Sequence, residues 1–275
     1  MALPLPTSLS PSKVSSFKDC ALAFRLSVID RLPEPPSPHA AKGTLVHRAL
    51  ELLMWEEEPA DRTREAAQEK LERAVPEVLD GEEYADLVWA DGERAEFVAD
   101  AASLLDHYFR LEDPRSVQVL GTELRMSVQL GSLRLSGIID RLDLDADGEL
   151  VVTDYKTGRA PSANYEQARL GGVHFYAFLC EQVLGRRPAE VRLLHLREPL
   201  TISTTPSDQS IRGLQLQTTA IWAAVEQACR REDFRPKPGR LCDYCAYHDL
   251  CPAVGGDLSR LADRTGVPVA AAVAS

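Results

Sequence analysis

Between Gln118 and Lys156 the apolar residues switch from helical spacing to alternation, and no other feature of the chain narrows its fold so much. Gln118–Gln129 and Leu133–Leu144 read as two strands and Glu149–Lys156 as a third. Asp145-Ala146-Asp147-Gly148 joins the last two, and Asp and Gly tolerate the positive φ of a hairpin turn. Side chains alternate faces along a strand, so Asp140 shares a face with Leu142 and Leu144. Asp154 and Lys156 share one with Val152 and Leu150. With the turn centred on Ala146–Asp147, position 144 opposes 149, Asp140 opposes Thr153 and Asp154 opposes Ile139. A one-residue bulge, frequent near active sites, would set Asp140 directly against Asp154.

The elements on either side fix the fold class. Ser10 and Ser12 precede a helical stretch, Val14–Ile29, and are candidate caps. A proline-rich loop over residues 32–39 ends it. A second helix spans about Lys42 to Glu57, and residues 61–111 carry further helical spacing, so 58–115 reads as a helical insertion or side lobe. A helix from about Tyr165 to Leu184 follows Gly158. Then come a strand, Val191–Leu196, its extension Leu200–Ser203, and a long helix from about Ser207 to Arg231. This order predicts an α/β fold with a central mixed sheet flanked by helices. The expected organisation is one domain over 1–275: a sheet core at 118–203, a cysteine-rich segment at 235–252 and a tail at 253–275.

Charge narrows the reading less than its net value suggests. The chain of 275 residues carries −11, but residues 51–100 hold 17 Asp/Glu against 5 Lys/Arg. The remainder is close to neutral, so the acidity belongs to one segment and neither supports nor excludes nucleic acid. No apolar run approaches the roughly 20 residues of a membrane span. The first residues, MALPLPTSLSPSK, lack a basic start and a long apolar stretch, so the expected location is cytoplasmic.

Two residue groups carry chemistry. Adjacent carboxylates at 140 and 154 repel unless a cation lies between them, and hard oxygen ligands suit Mg²⁺ or Mn²⁺. Lys156 points the same way and can orient water or balance charge. The bland alternative is a surface hairpin with an Asp–Lys pair. Among six cysteines, Cys242, Cys245 and Cys251 fall within ten residues, which indicates a metal or cluster site. Cys20 is the candidate fourth ligand, while Cys180 and Cys229 sit in helical patterns that packing explains. Thiolates suit zinc and iron–sulfur alike. Arg230, Arg231, Arg235, Lys237 and Arg240 flank the cysteines as a candidate phosphate strip or an ordinary basic helix end, with Tyr244 and Tyr247 available for base stacking.

The segment GIIDRLDLDADGELVVTDYKTG, residues 137–158, resembles the core of RecB-type PD-(D/E)XK nucleases. Its Gly137-x-x-Asp140-Arg141 and Asp154-Tyr155-Lys156-Thr157-Gly158 stand where that family has paired motifs, and Gly43-Thr44-Leu45-Val46-His47 resembles the family's first-helix motif. The resemblance implies a restriction-endonuclease-like core in which His47, Asp140, Asp154 and the Tyr155 carbonyl hold the metal and Lys156 is catalytic. Glu123 resembles a frequent family acid. The family's Gln-x-x-x-Tyr keeps Tyr176, but Gly172 stands at the Gln position and Gln167 lies more than two turns away. The lone Cys20 with Cys242-x₂-Cys245-x₅-Cys251 resembles the [4Fe–4S] clasp of AddB-type helicase–nucleases and CRISPR-adaptation exonucleases, which joins the N- and C-terminal regions; Ala21 replaces the usual proline. The implied activity is metal-dependent hydrolysis of DNA, as a single-strand exonuclease with a repair or CRISPR-adaptation partner. Two rivals are a non-cutting DNA-binding module, which Gly172 invites, and a zinc-stabilised protein of other function. No G-x-x-x-x-G-K-[ST] phosphate loop is present.

Overall fold

A computed structural model describes residues 2–160 and 163–262, with side chains of 163–171 left aside. They group into two compact units. A sheet unit comprises Pro36–Val128 and Gly137–Arg212; a cysteine unit comprises Met1–Pro35, Gln129–Ser136 and Gly213–Ser275.

A five-stranded mixed sheet has the order β1-β2-β3-β4-β5, with β1 Gln118–Leu130, β2 Leu133–Leu144, β3 Leu150–Lys156, β4 Glu190–His195 and β5 Leu200–Thr204. Strand β3 pairs antiparallel with β2 and parallel with β4, and β4 pairs antiparallel with β5. Flanked on both edges, β3 is buried from Leu150 through Tyr155, as its near-continuous apolar sequence requires.

The β2–β3 register differs from expectation by one residue. Leu144 faces Leu150 and Arg141 faces Thr153, and beyond that pair the Asp140 carboxylate accepts from the Tyr155 amide. The turn is responsible. Asp145 Oδ1 accepts from the amides of Asp147 and Glu149, and the Asp145 amide bonds the Glu149 carbonyl, drawing Glu149 into the loop. Gly148 supplies the left-handed step at φ 76°.

Helices α3 (Pro38–Glu56), α4 (Arg64–Leu79) and α5 (Glu93–Leu111) bury Leu45, Leu50, Leu53, Leu71, Leu104 and Leu105 in one cluster with Tyr155, Leu194 and Leu196. They therefore cover the sheet face opposite Asp154 and Lys156. Helix α3 begins a turn earlier than its periodicity indicates. Pro38 occupies its first turn, where a missing N–H costs nothing, so the proline-rich loop ends sooner. The buried Arg62 donates to the carbonyls of Met54, Glu57, Pro114 and Val117, tying the end of α3 to the entry of β1.

In the cysteine unit the expected helix Val14–Ile29 is broken at Cys20, whose backbone is extended (φ −159°, ψ 112°). Helix α1 (Pro11–Asp19) is capped by the Ser10 side chain, while Ser12 lies inside the helix. Helix α2 (Ala21–Phe24) runs into a π-turn, Arg25–Ile29. Leu22, Leu26, Leu32, Tyr247, Leu250 and Leu261 form a second apolar cluster, with Cys20, Cys245 and Cys251 packed on it. Helix α6 (Ala163–Leu184) follows β3 and helix α7 (Asp208–Arg231) follows β5. Among the described residues no helix is long and apolar enough to cross a membrane.

Candidate active site

The end of β3 gathers the charged groups. Alternation along the strand sends Asp154 and Lys156 to one face and the Tyr155 ring to the other, leaving the Tyr155 peptide between them. The Tyr155 amide donates to Asp140 Oδ2 at 2.8 Å, and the Tyr155 carbonyl lies 3.1 Å from His47 Nε2. His47 Nδ1 is 3.6 Å from Asp140 Oδ2. The β-face alternation thus converts one peptide unit into the meeting point of α3, β2 and β3.

Glu123 completes the arrangement. One ligand atom each from His47, Glu123 and Asp140 lie within 4.8 Å of one another, a spacing that fits a bound cation. Glu123 holds a left-handed backbone, φ 48°, within β1. A side chain with Cβ adopts that conformation rarely, and strain of this kind collects at functional sites.

The electrostatics fit a cation too. Burial first, and then the charge of Asp154, raise the Asp140 carboxyl to about 7 against the opposing pull of His47, the Tyr155 amide and Lys156. Burial likewise raises Glu123, against the pull of His47. A nitrogen and two carboxylate oxygens around one point, with both acids made reluctant to ionise, are the donor set of a divalent ion lacking only its charge.

The structure therefore brings together His47, Asp140, the Tyr155 carbonyl and Glu123, the residue that resembles a family acid. Asp154 is close enough to act on the Asp140 charge but lies outside the close triad, and its Oδ2 pairs with the ammonium of Lys156. Tyr176 of α6 packs over Gly137: a Cβ on that glycine would lie 3.2 Å from the Tyr176 ring and 3.0 Å from Leu179. Burial, then the charges of Asp154, Asp140 and Glu123, push its phenol far up, so its hydroxyl stays protonated. Gly43 of α3 faces Thr157, whose Oγ1 would lie 3.4 Å from a Cβ built there. The Gln167 side chain lies outside the described residues.

One functional group had only its place in a motif to announce it. Arg141 is fully buried beneath the site. Its Nε donates to both oxygens of Asp143 at 2.8 and 2.9 Å, and its Nη atoms bond both oxygens of Glu112 at 2.5 and 3.1 Å. Nη1 also donates to the hydroxyls of Tyr155 at 2.8 Å and Tyr108 at 3.2 Å. The ring side of Tyr155 is thereby anchored while its peptide serves the site. Adjacent residues of β2 divide the work, Asp140 toward the cation position and Arg141 toward the anchor. Glu112 lies beyond any local pattern around Arg141, which is why the sequence does not reveal the pair.

In the cysteine unit, burial raises the Cys245 thiol, the Tyr247 amide lowers it, and Cys20, Cys251 and Cys242 raise it further, so all three act on it as near neighbours. Among the described residues no three of these sulfurs lie within 4.8 Å of one another. Gly256 lets the chain fold back on this turn; a Cβ there would fall 2.6 Å from the Cys251 nitrogen. Cys180 and Cys229 are buried, in keeping with a packing role. Tyr244 is 88 % exposed, but Tyr247 is not available for stacking, because it is buried and its hydroxyl donates to Glu34 at 2.9 Å. Of the basic strip, Arg235 pairs with Asp233 and Lys237 donates to the Lys18 carbonyl.

The model of the PD-(D/E)XK nuclease superfamily matches residues 8–252, which include every residue of the site and Cys20, Cys242, Cys245 and Cys251. The chain belongs to the PD-(D/E)XK nuclease superfamily. This member is 27% identical over 162 residues to an ATP-dependent helicase/deoxyribonuclease subunit of Streptococcus pyogenes, and 28% identical over 163 residues to the corresponding protein of Streptococcus mutans. Each match takes in 56% of the PD-(D/E)XK chain but only 14% of the relative. A crystal structure from Eubacterium rectale, provisionally called an exonuclease, superposes with a TM-score of 0.59 at 12% identity, covering 88% of each chain. That likeness establishes the same nuclease fold over most of the superfamily member's length.

Proposed function

We propose that this chain is a divalent-metal-dependent deoxyribonuclease that degrades single-stranded DNA from an end. The observation that carries the proposal is the convergence of His47, Glu123 and Asp140 beside the Tyr155 carbonyl, with the Asp154–Lys156 pair next to them. In this reading His47, Asp140, Asp154, Glu123 and the Tyr155 carbonyl hold Mg²⁺ or Mn²⁺. Bound there, such an ion supplies positive charge to a phosphate and lowers the pKa of water. Lys156, steadied by Asp154, orients the water that attacks phosphorus and offsets charge as the P–O bond breaks. Tyr176, protonated and packed on Gly137, donates a hydrogen bond within the same pocket.

DNA as substrate is supported by the deoxyribonuclease proteins to which the chain is similar, and exonuclease action by the provisional label of the Eubacterium protein. A partner in a repair or CRISPR-adaptation complex, and a cytoplasmic location, belong to the same reading. Cys20, Cys242, Cys245 and Cys251 are proposed to hold a [4Fe–4S] cluster that clasps the N-terminal helices to the C-terminal turns. The apolar cluster on which Cys20, Cys245 and Cys251 pack, and the influence of Cys20, Cys251 and Cys242 on the Cys245 thiol, support this.

The test is digestion of end-labelled single- and double-stranded DNA with Mn²⁺, beside Lys156→Ala and Asp154→Ala. Shortening of the single strand by the wild type alone is expected. Gly172 at the family's Gln position favours a second reading, a DNA-binding module, and binding without loss of length would establish that instead. A brown protein absorbing near roughly 400 nm is expected for the cluster, and a colourless, zinc-containing one would refute it.

A further inference from the structure

The C-terminal end of β3 carries a second charged group that the proposed chemistry does not use. The Leu196 amide donates to the Lys156 carbonyl at 2.9 Å, so Arg197 follows directly beside the site's end of the sheet. Gly43 faces Thr157, which brings the neighbouring Lys42 of α3 to the same end. Asp100 of α5 joins the two: its Oδ2 accepts from Lys42 Nζ at 2.5 Å and from Arg197 Nη2 at 2.7 Å.

Two cations share one carboxylate, leaving one positive charge in surplus. Lys42 uses this carboxylate to join α3 to α5, whereas Arg197 reaches it from the loop after β4. Lys42 is largely covered and its ammonium also lies 4.9 Å from the Phe97 ring centre, so it is committed to the fold. Arg197 is different. Its side chain keeps 37% of its exposure, and among the described residues its guanidinium has no acidic partner besides Asp100. A fork with one nitrogen fixed and others open matches the geometry of a phosphate diester. The surplus charge also stands against a segment, 51–100, that carries 17 acids and 5 bases and repels a polyanion. Attraction for a nucleic-acid backbone on this unit must then come from local cations near the site.

We propose that Arg197, positioned by Asp100, binds a backbone phosphate of the nucleic-acid substrate adjacent to the scissile one. The inference rests on the nuclease reading above and adds a substrate-binding residue to it.

The experiment measures the anisotropy of a fluorescein-labelled oligothymidine in EDTA, with the full chain, across KCl concentrations. It is paired with steady-state cleavage in Mn²⁺. Losing one phosphate contact lowers the slope of log K against log salt by about 0.7 for a single strand. Arg197→Gln is expected to show that drop. Its KM should rise roughly tenfold, the worth of one charge-assisted hydrogen bond, with kcat nearly unchanged. Arg197→Lys should restore the slope, which a purely structural role for Arg197 would not predict. A folded Gln variant with the wild-type slope and KM overturns the inference while leaving the nuclease reading intact. A wild type that neither binds nor cuts single-stranded DNA overturns the nuclease reading, and this inference with it.

Discussion

Asp140→Asn should stabilise the metal-free protein above neutral pH while destroying its response to metal. Burial and Asp154 move the Asp140 carboxyl from its ordinary 3.8 to about 7. A tenfold change in proton affinity is worth about 1.4 kcal/mol, so ionising this group within the fold costs up to about 4 kcal/mol. Its folded pKa is raised, so between about pH 4 and 7 the folded state binds more protons than the unfolded state. Stability therefore falls as pH rises through that window, and the full cost is present above it. Asparagine keeps an oxygen for the Tyr155 amide but carries no charge to desolvate. Because part of the cost is repulsion shared with Asp154, the variant should gain at least about 2 kcal/mol at pH 8 in EDTA, or roughly 4–8 °C in Tm. At pH 4 the two proteins should melt alike. Adding Mn²⁺ should reverse the order, since only the wild type gains from a ligand bound to the folded state. The assay is thermal unfolding at both pH values, with and without the ion. If the Asn variant melts at or below the wild type at pH 8 in EDTA, the buried-carboxylate argument fails.

Three further outcomes follow from the same geometry. Gly137→Ala puts a methyl group 3.0 Å from Leu179 and 3.2 Å from the Tyr176 ring, so kcat should fall and chemical denaturation should show a loss of about 1–3 kcal/mol from overpacking. Glu123→Gly relieves the φ of 48°, so in EDTA the melting temperature should stay near wild type although a glycine enters a strand, while the shift produced by Mn²⁺ shrinks. Tyr155→Phe removes one acceptor of Arg141 and should cost about 1–2 kcal/mol in urea unfolding. A silent Tyr155→Phe would mean the hydroxyl anchors nothing.

The sequence resolved those features that repeat locally. The alternating strands and the hairpin rest on neighbours two residues apart, and the structure keeps them. The register slipped by one because Asp145 uses its side chain to cap the turn, a choice that strand periodicity does not encode. Cys20 breaks its helix through an extended backbone that the apolar spacing of Val14–Ile29 passes over. Glu123 resembled a family acid, but its left-handed backbone angle is not legible in the strand's alternation. Asp154 looked equivalent to Asp140 because strand alternation gives the face of a side chain and not its partner. Tyr247 looked free, and only three-dimensional packing against Leu32 and Glu34 shows otherwise.

The back-to-back placement of Asp140 and Arg141 makes β2 intolerant of slippage. Inserting one residue between Arg141 and the Asp145 turn would exchange their faces, forcing a guanidinium into the ligand cluster and stranding a carboxylate against Glu112 and Asp143. Anyone transplanting this centre into another scaffold would have to carry Glu112 and Asp143 along with it, although neither approaches the cation. The strand is, in effect, a two-sided key, and half of its teeth are cut for the interior.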